Sequence, residues 1–524
     1  MGRVGAALCL RASHKTTPLP TGAGSQSESP EMHGSSEKIV KVSERSQFCP
    51  VLAVAVVIAM AGAVYAQGQA QNPSSTDNPY WGSVTAEPAT DGTLKLSLDD
   101  AVRRGLANNL GLREAKSNEL ALQGEKNQAL QEFLPTIKFT ADTGYYQHNL
   151  VALGFKPSLL PEFSSLFPNG QVPTGFNTLT RDDLTEEQIH YDQTLFSGPV
   201  LAGWKAAGAA SRAAYFAKMT ARGQVVQDAA TTYLRCVADQ SQVENAKAQV
   251  DEAQVLLNHV HLAHLAGTAA NLDELRAKVQ LESQQQTEIA AQNQLDKDLI
   301  LLKREIGITP GQPIELTDTS PYSDMAAQTP EEALALAYKS RQDYQNFQNQ
   351  AVEFKAIHQA YRAQRLPTLK FSGFYGTDTV NGAGTRGNFM AVGTVSLPLF
   401  REAKLRGDED AARAQMDSVN DQLADLKVHI DQQVRSALLD VEANGKLVDV
   451  ARSNVDLARR ELSDETDRVN AGVDDNLPLV TAQATLAAAE SNLVESLYQY
   501  NLSKVALARA CGVLETQYRS YLGE

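Results

Sequence analysis

The hexapeptide LPTIKF occupies Leu134–Phe139, and LPTLKF occupies Leu366–Phe371. Proline has no backbone N–H to donate and biases the residue before it toward an extended backbone, so Pro135 and Pro367 each end an incoming helix. Beyond both prolines the apolar period becomes two. Ile137, Phe139, Ala141 and Tyr145 alternate with Lys138, Thr140, Asp142 and Tyr146, and Leu369, Phe371 and Tyr375 repeat the pattern. Leu134, Pro135, Leu366 and Pro367 are therefore read as two helix-to-strand corners of one kind.

The corners lie 232 residues apart, and the same offset lays Glu331-Glu332-Ala333 on Asp99-Asp100-Ala101. Later the offset is 204 to 205: Leu399-Phe400 falls on Leu195-Phe196, Gly472 on Gly267, and Gly512 on Gly307. The chain reads as a duplicated unit of helix, strand, strand, long helix and helix. The change of offset measures an insertion of 28 residues between the first pair of strands. It falls where Pro157, Pro161, Pro168 and Pro173 break regular structure, and predicts a long loop at about 147–187. Return strands are expected near Gln188–Phe196 and Asn388–Phe400.

No proline interrupts the chain between Pro199 and Pro310 or between Pro398 and Pro478, and each interval opens with a helical run of about 65 to 70 residues, ~100 Å long. Val434, Val441, Val448, Val455, Leu462 and Val469 recur every seven residues, with Ile430, Ala437, Ala451 and Ala458 as companions. Ser97–Phe133 and Ala270–Gly307 are each expected to form one unbroken helix.

Val51–Ala66 is an apolar run of 16 residues, short of the ~20 a spanning helix needs. Lys38, Lys41 and Arg45 precede it and small residues close it, the layout of a signal peptide cut before Gln67, with Met32 as the start of a leader of normal length. The expected organisation is leader 1–66, an extended segment 67–95, the first repeat 96–310, a linker 311–327, the second repeat 328–513 and a tail 514–524.

Without the leader the charge falls from −15 to −17, which argues against a nucleic-acid partner. Of four cysteines only Cys236 and Cys511 lie outside the leader, and their heights above the matched glycines differ by ~12 Å, too far for a disulfide. His261 and His264 share a helix face, but two imidazoles without a nearby thiol make a poor metal site. There is no nucleophile elbow, HExxH, paired CxxC or phosphate loop, so neither an enzyme nor a cofactor is expected.

Four strands leave two open edges and enclose nothing, whereas membrane barrels begin at about eight strands, so the chain must be completed by copies of itself. The order of elements, the LPT corners, the strand exits QTLFSG and LPLF, and the stretch RVNAGVDDNLPLVTAQATLAAAESNL resemble the TolC-like outer-membrane efflux family over roughly Leu96–Val513. That resemblance implies a mainly α fold with a β-barrel portion: a homotrimer with a twelve-stranded barrel in outer-membrane lipid and a periplasmic helical barrel. It further implies a periplasmic adaptor and an inner-membrane transporter as partners, and export of small molecules or a secreted polypeptide.

On the family's pattern Ala266, Gly267 and Thr268, with Ala471, Gly472 and Val473, are the tips that meet the adaptor; the plain alternative is that both glycines only cap helices. The family's aspartate pair after the second glycine would fall at Pro478 and Thr481. Asp474 and Asp475 stand in the turn instead, with Asp273 after the first tip, as candidates for the periplasmic aperture or as helix-start acids. The rival for the whole chain is a periplasmic coiled-coil scaffold without a channel.

Overall fold

The computed structural model describes residues 75, 78–84, 92–149, 179–318, 323–325, 328–380, 384–471 and 476–522, all within the compact unit Asn72–Glu524. The leader, the Pro-rich insertion and the second helix tip (Gly472, Val473, Asp474 and Asp475) lie outside the described residues. In chain order the elements are β1 (Leu94–Leu96), α1 (Leu98–Asn108), α2 (Leu110–Gln131), β2 (Thr136–Asn149), β3 (Leu179–Phe196), α3 (Gly198–Leu265) and α4 (Asn271–Ile306). They continue with β4 (Ile314–Leu316), α5 (Pro330–Ser340), α6 (Gln342–Ala363), β5 (Thr368–Val380), β6 (Gly384–Ser396), α7 (Glu402–Asn470), α8 (Asn476–Ala510) and α9 (Leu514–Leu522).

Before Pro135 the helix tightens: Leu134 N–H donates to the Gln131 carbonyl at 3.0 Å, and before Pro367 the Leu366 N–H donates to Ala363 at the same distance. These three-residue bonds are the last turn a chain makes before an enforced extended residue. The strands that follow form one antiparallel sheet in the order β2-β3-β5-β6.

α3 and α7 hold 68 and 69 residues, ~100 Å of helix each. Their packing seams are built from small side chains: Ala202, Ala206, Ala209 and Ala213 are buried on α3, and Ala437, Ala451 and Ala458 lie beside Ile430, Val434, Val448 and Val455 on α7. α3 packs on α2, α4 and α6, and α7 on α6 and α8. None of the described helices is long and apolar enough to cross a membrane.

The main core is a belt halfway along the long helices, where Val226–Val237 of α3 and Ile430–Ala437 of α7 meet Leu302, Ile306, Leu507 and Leu514. Tyr233 is fully buried there, its hydroxyl 3.0 Å from the Leu96 carbonyl and 2.9 Å from Asp318 Oδ2, which also accepts the Leu98 N–H at 2.7 Å. A buried phenol is stable only with such partners.

Several expectations need correction at this belt and at the strands. The helix expected over Ser97–Phe133 breaks at Asn109, whose backbone is extended (φ −60, ψ 133), because Asn109 Oδ1 caps α2 by accepting from Leu112 N–H at 3.2 Å. Arg341 breaks the second copy at the matching position with an extended backbone (φ −69, ψ 122) and no side-chain cap, and its Nη1 donates to the Ala510 carbonyl. The segments 67–95 and 311–327 each contribute a strand, β1 and β4, which pair in parallel so that Leu96 and Leu316 enter the core. The tail 514–524 carries helix α9, which buries Leu514, Tyr521 and Leu522.

Among the strands, β3 starts at Leu179 instead of Gln188, since pairing with β2 from Leu179 and with β5 as well from Leu184 overrides the poor strand propensity of its acidic residues. β6 covers Gly384–Ser396 and ends ahead of Pro398, which has no N–H for a ladder.

Gly307, Gly512 and Gly267 all have positive φ, between 73° and 78°. A Cβ on Gly512 would also fall 2.7 Å from Arg341 N and 2.8 Å from its Cα, whereas one on Gly267 meets nothing. Gly512→Ala is expected to cost clearly more than the ~1 kcal/mol of the left-handed backbone alone, and Gly267→Ala only that amount. Thermal melts of the two variants in detergent give the comparison.

Candidate functional site

The paired registers sort the strand residues into two faces. Phe139, Ile189, Tyr375 and Phe389 lie side by side across all four strands and are 66, 51, 71 and 75% exposed; Ile137, Tyr191, Gly373 and Ala391 form the next row of the same face. The opposite face carries the rows Thr140, Gln188, Gly376, Asn388 and Asp142, Glu186, Asp378, Arg386. There Asn388 Nδ2 donates to Asp378 Oδ2 at 2.7 Å, Gln188 Nε2 to Asp378 Oδ1 at 3.4 Å, and His190 Nε2 lies 3.0 Å from Thr140 Oγ1. From Ile137 to Tyr145 the apolar face of β2 runs about 27 Å along the strand, close to the ~25 Å apolar band of an outer-membrane barrel before tilt is allowed for. The first face is apolar over the rows of Ile137 and Phe139, with Glu187 in the next row beside Ala141, Thr377 and Gly387, and the second is mostly polar, Phe374 and Met390 being among its exceptions.

At the far end of the helices, α3 closes through Ala266, Gly267 and Thr268, all exposed. Gly267 N–H donates to His264 O at 2.9 Å, and both Thr268 N–H and Thr268 Oγ1 donate to Ala263 O at 2.9 and 3.0 Å. Asp273 turns back to accept the Ala270 N–H at 3.3 Å and lies 3.5 Å from Arg276 Nη1, so its carboxylate is engaged in starting α4. His261 reaches Glu274 at 2.8 Å and His264 the Ala269 carbonyl at 3.2 Å, which ties the histidines to this turn. Ala471 is exposed at the end of α7, its N–H bonded to Asp467 O. Ala277 and Leu479 meet over Leu256 and Val260, so the start of α4 and the start of α8 stand together. Beside them Leu272, Leu275 and Leu477 line an open groove of about 400 Å³.

A third set of groups has no strong sequence signal: acids inside the mid-height belt. Glu305 is buried with Oε2 unpartnered, and burial pushes its carboxyl up to about 8. Burial and the neighbouring Asp298 carboxylate push Asp239 up to about 7, and burial raises Asp228 to about 6. Asp298 is held low because hydrogen bonds from Asp239, Gln294 and Arg235 outweigh its own burial. Asp298 and Glu305 are seven residues apart on α4, and Asp228 and Asp239 eleven apart on α3, spacings that return to one helix face. Among the described residues no group of three or more His, Cys, Asp or Glu is placed to hold a metal ion. Cys236 and Cys511 are buried free thiols.

A family model described as outer membrane efflux protein matches residues 101–307 and 333–513, both halves and most of the chain. The chain belongs to the outer membrane efflux protein family. It is 23% identical over 323 residues to the pyoverdine export outer membrane protein OpmQ of Pseudomonas aeruginosa, covering 60% of this chain and 67% of that protein. It is 23% identical over 302 residues to the toluene efflux pump outer membrane protein TtgF of Pseudomonas putida, covering 55% and 60%. The matched stretch thus spans between 60 and 67% of these relatives. The fold is that of the outer membrane protein VceC of Vibrio cholerae, with a TM-score of 0.65 at 18% identity over 79% of this chain and 96% of that one. This efflux protein therefore resides in the outer membrane.

The buried acids set a pH dependence. Each has a folded pKa above its unfolded value, so between about pH 4 and the folded value the native state binds more protons than the unfolded state. Their stabilisation is complete below that window and is lost as pH rises through 6 to 8. The melting temperature of the purified protein is expected to fall from about pH 5 to about pH 8, and Glu305→Gln to flatten that fall.

Proposed function

We propose that three copies of this chain close a twelve-stranded barrel in the outer membrane and extend their duplicated helical hairpins as one helical barrel through the periplasm. The assembly is a passive conduit through which an inner-membrane transporter, joined by a periplasmic adaptor, expels small molecules. The observation that carries this reading is the sheet: a face with the exposed apolar row Phe139, Ile189, Tyr375 and Phe389, a mostly polar opposite face and two uncovered edges, set on helices ~100 Å long. A periplasmic scaffold would have no use for the exposed row Phe139, Ile189, Tyr375 and Phe389. The names of OpmQ and TtgF, pyoverdine export and toluene efflux, support a small organic cargo.

In this reading the leader 1–66 is removed on export, the Pro-rich insertion faces the outside of the cell, and Ala266–Thr268 with Ala471–Val473 meet the adaptor. Asp273 serves α4, which leaves Asp474 and Asp475 as the acids for the aperture, six carboxylates in three copies.

The protein is expected in the outer-membrane fraction, extractable only with detergent, with the mass of three copies; release by osmotic shock as a monomer would identify a scaffold. A carboxylate ring favours cations. Asp474→Asn combined with Asp475→Asn is expected to reduce cation preference in single-channel recordings, and unchanged selectivity would assign both acids to helix capping.

A further inference from the structure

Beside the mid-height belt a cavity of about 310 Å³ opens between α3, the start of α6, the end of α8 and the start of α9. Two carboxylates line it, and an arginine takes each of them. Arg222 donates Nε and Nη2 to Glu515 Oε1 at 2.9 and 2.6 Å, and Arg341 donates Nε and Nη2 to the two oxygens of Asp343 at 3.0 and 2.6 Å.

The third arginine, Arg509, also lines the cavity and has no carboxylate to itself. Among the described residues its hydrogen bonds are two long ones from Nη2, to the Thr220 carbonyl at 3.4 Å and to Gln224 Oε1 at 3.5 Å. The next acid along α3, Asp228, is reached only through Gln224, whose Nε2 donates to it at 2.9 Å. A guanidinium drawn out of water needs charged partners, and burial pulls Arg509 below its ordinary range.

A glycine admits Arg509 to this place. A Cβ on Gly223 would collide with Arg509 Nη1, so the guanidinium lies against bare helix backbone. The duplication supplies the contrast. At the offset of 205 the counterparts of Arg509 and Gly223 are Arg304 and Val428, and Arg304 is exposed. Only one of the two matched seams holds a cation in this way.

We propose that the cavity binds one small soluble oxyanion, a phosphate or carboxylate group, as the counter-ion of Arg509. A single negative charge balances the three arginines against the two carboxylates, and the volume lies at the lower end of small-molecule sites, ~300 Å³. Thr220 stands ~33 Å along α3 from its start at the foot of the sheet, so lipid headgroups do not reach the cavity. The bound anion would join α3 of the first repeat to α8 of the second, and the proposal stands whether or not the assembly conducts.

Inorganic phosphate and acetate, each titrated calorimetrically into the detergent-purified protein against chloride at equal ionic strength, test it. Saturable binding of one or both is expected, weaker by about tenfold or more in Arg509→Gln. Gly223→Ala keeps every charge and displaces only the flexible end of the arginine; it is expected to weaken binding likewise, and it keeps the test open if Arg509→Gln fails to fold. Arg304→Gln, at the matched position, is expected to bind as the unsubstituted protein does. Absence of saturable binding of either anion would overturn the proposal. So would binding that a folded Arg509→Gln or Gly223→Ala protein retains in full, or that Arg304→Gln weakens equally.

Discussion

A backbone that enters hydrocarbon must satisfy its N–H and C=O groups without water, and a sheet does so only where every strand has two neighbours. The four strands of this chain meet that demand on the inner sides of β2 and β6 and leave it unmet on their outer sides. The architecture can be read as a response. Prolines set the strands abruptly on helix ends, alternation sets an exposed apolar row apart from polar ones, and long helices packed through alanine run out from the sheet. Close packing through alanine also lets the helix backbones approach one another.

The mid-height belt answers a different difficulty. Helices of 68 and 69 residues, supported laterally by shorter ones, need the chain to be tied across them. The parallel pair β1–β4, the bonds of Tyr233 and the helix α9 supply that tie, and they draw on segments from both halves and from the chain end. The buried carboxyls lie in the same belt, where burial raises Glu305 to about 8 and, with the Asp298 carboxylate, Asp239 to about 7. A solvated face would have kept them charged.

What the sequence disclosed followed from strong local signals. The corners at Pro135 and Pro367, the alternation after them, the uninterrupted runs that became α3 and α7, and the helix ends near Gly307 and Gly512 each come from a residue whose backbone chemistry leaves few options. The belt was hidden for the opposite reason. Three-residue strands such as Leu94–Leu96 and Ile314–Leu316 are too short for a period to show, and the helix breaks at Asn109 and Arg341 use neither proline nor glycine. Thr180–Glu187 resembles a loop by composition and is a strand by virtue of its neighbours. Of the candidate site residues, Ala266, Gly267, Thr268 and Asp273 have a defined geometry, while Gly472, Val473, Asp474 and Asp475 lie outside the described residues.

The two hairpins share one register, since Thr136 opposite Asp192 becomes Thr368 opposite Ser396 at the offsets of 232 and 204, and that has an evolutionary side. If the joint within a chain and the joint between chains are the same joint, a gene of half this length would already encode a ring of six identical pieces. Fusing two pieces keeps the joint and releases the copies from sameness, so that alternate positions round the ring can specialise. The 28-residue insertion in only one of the two hairpins is what that freedom looks like in a genome.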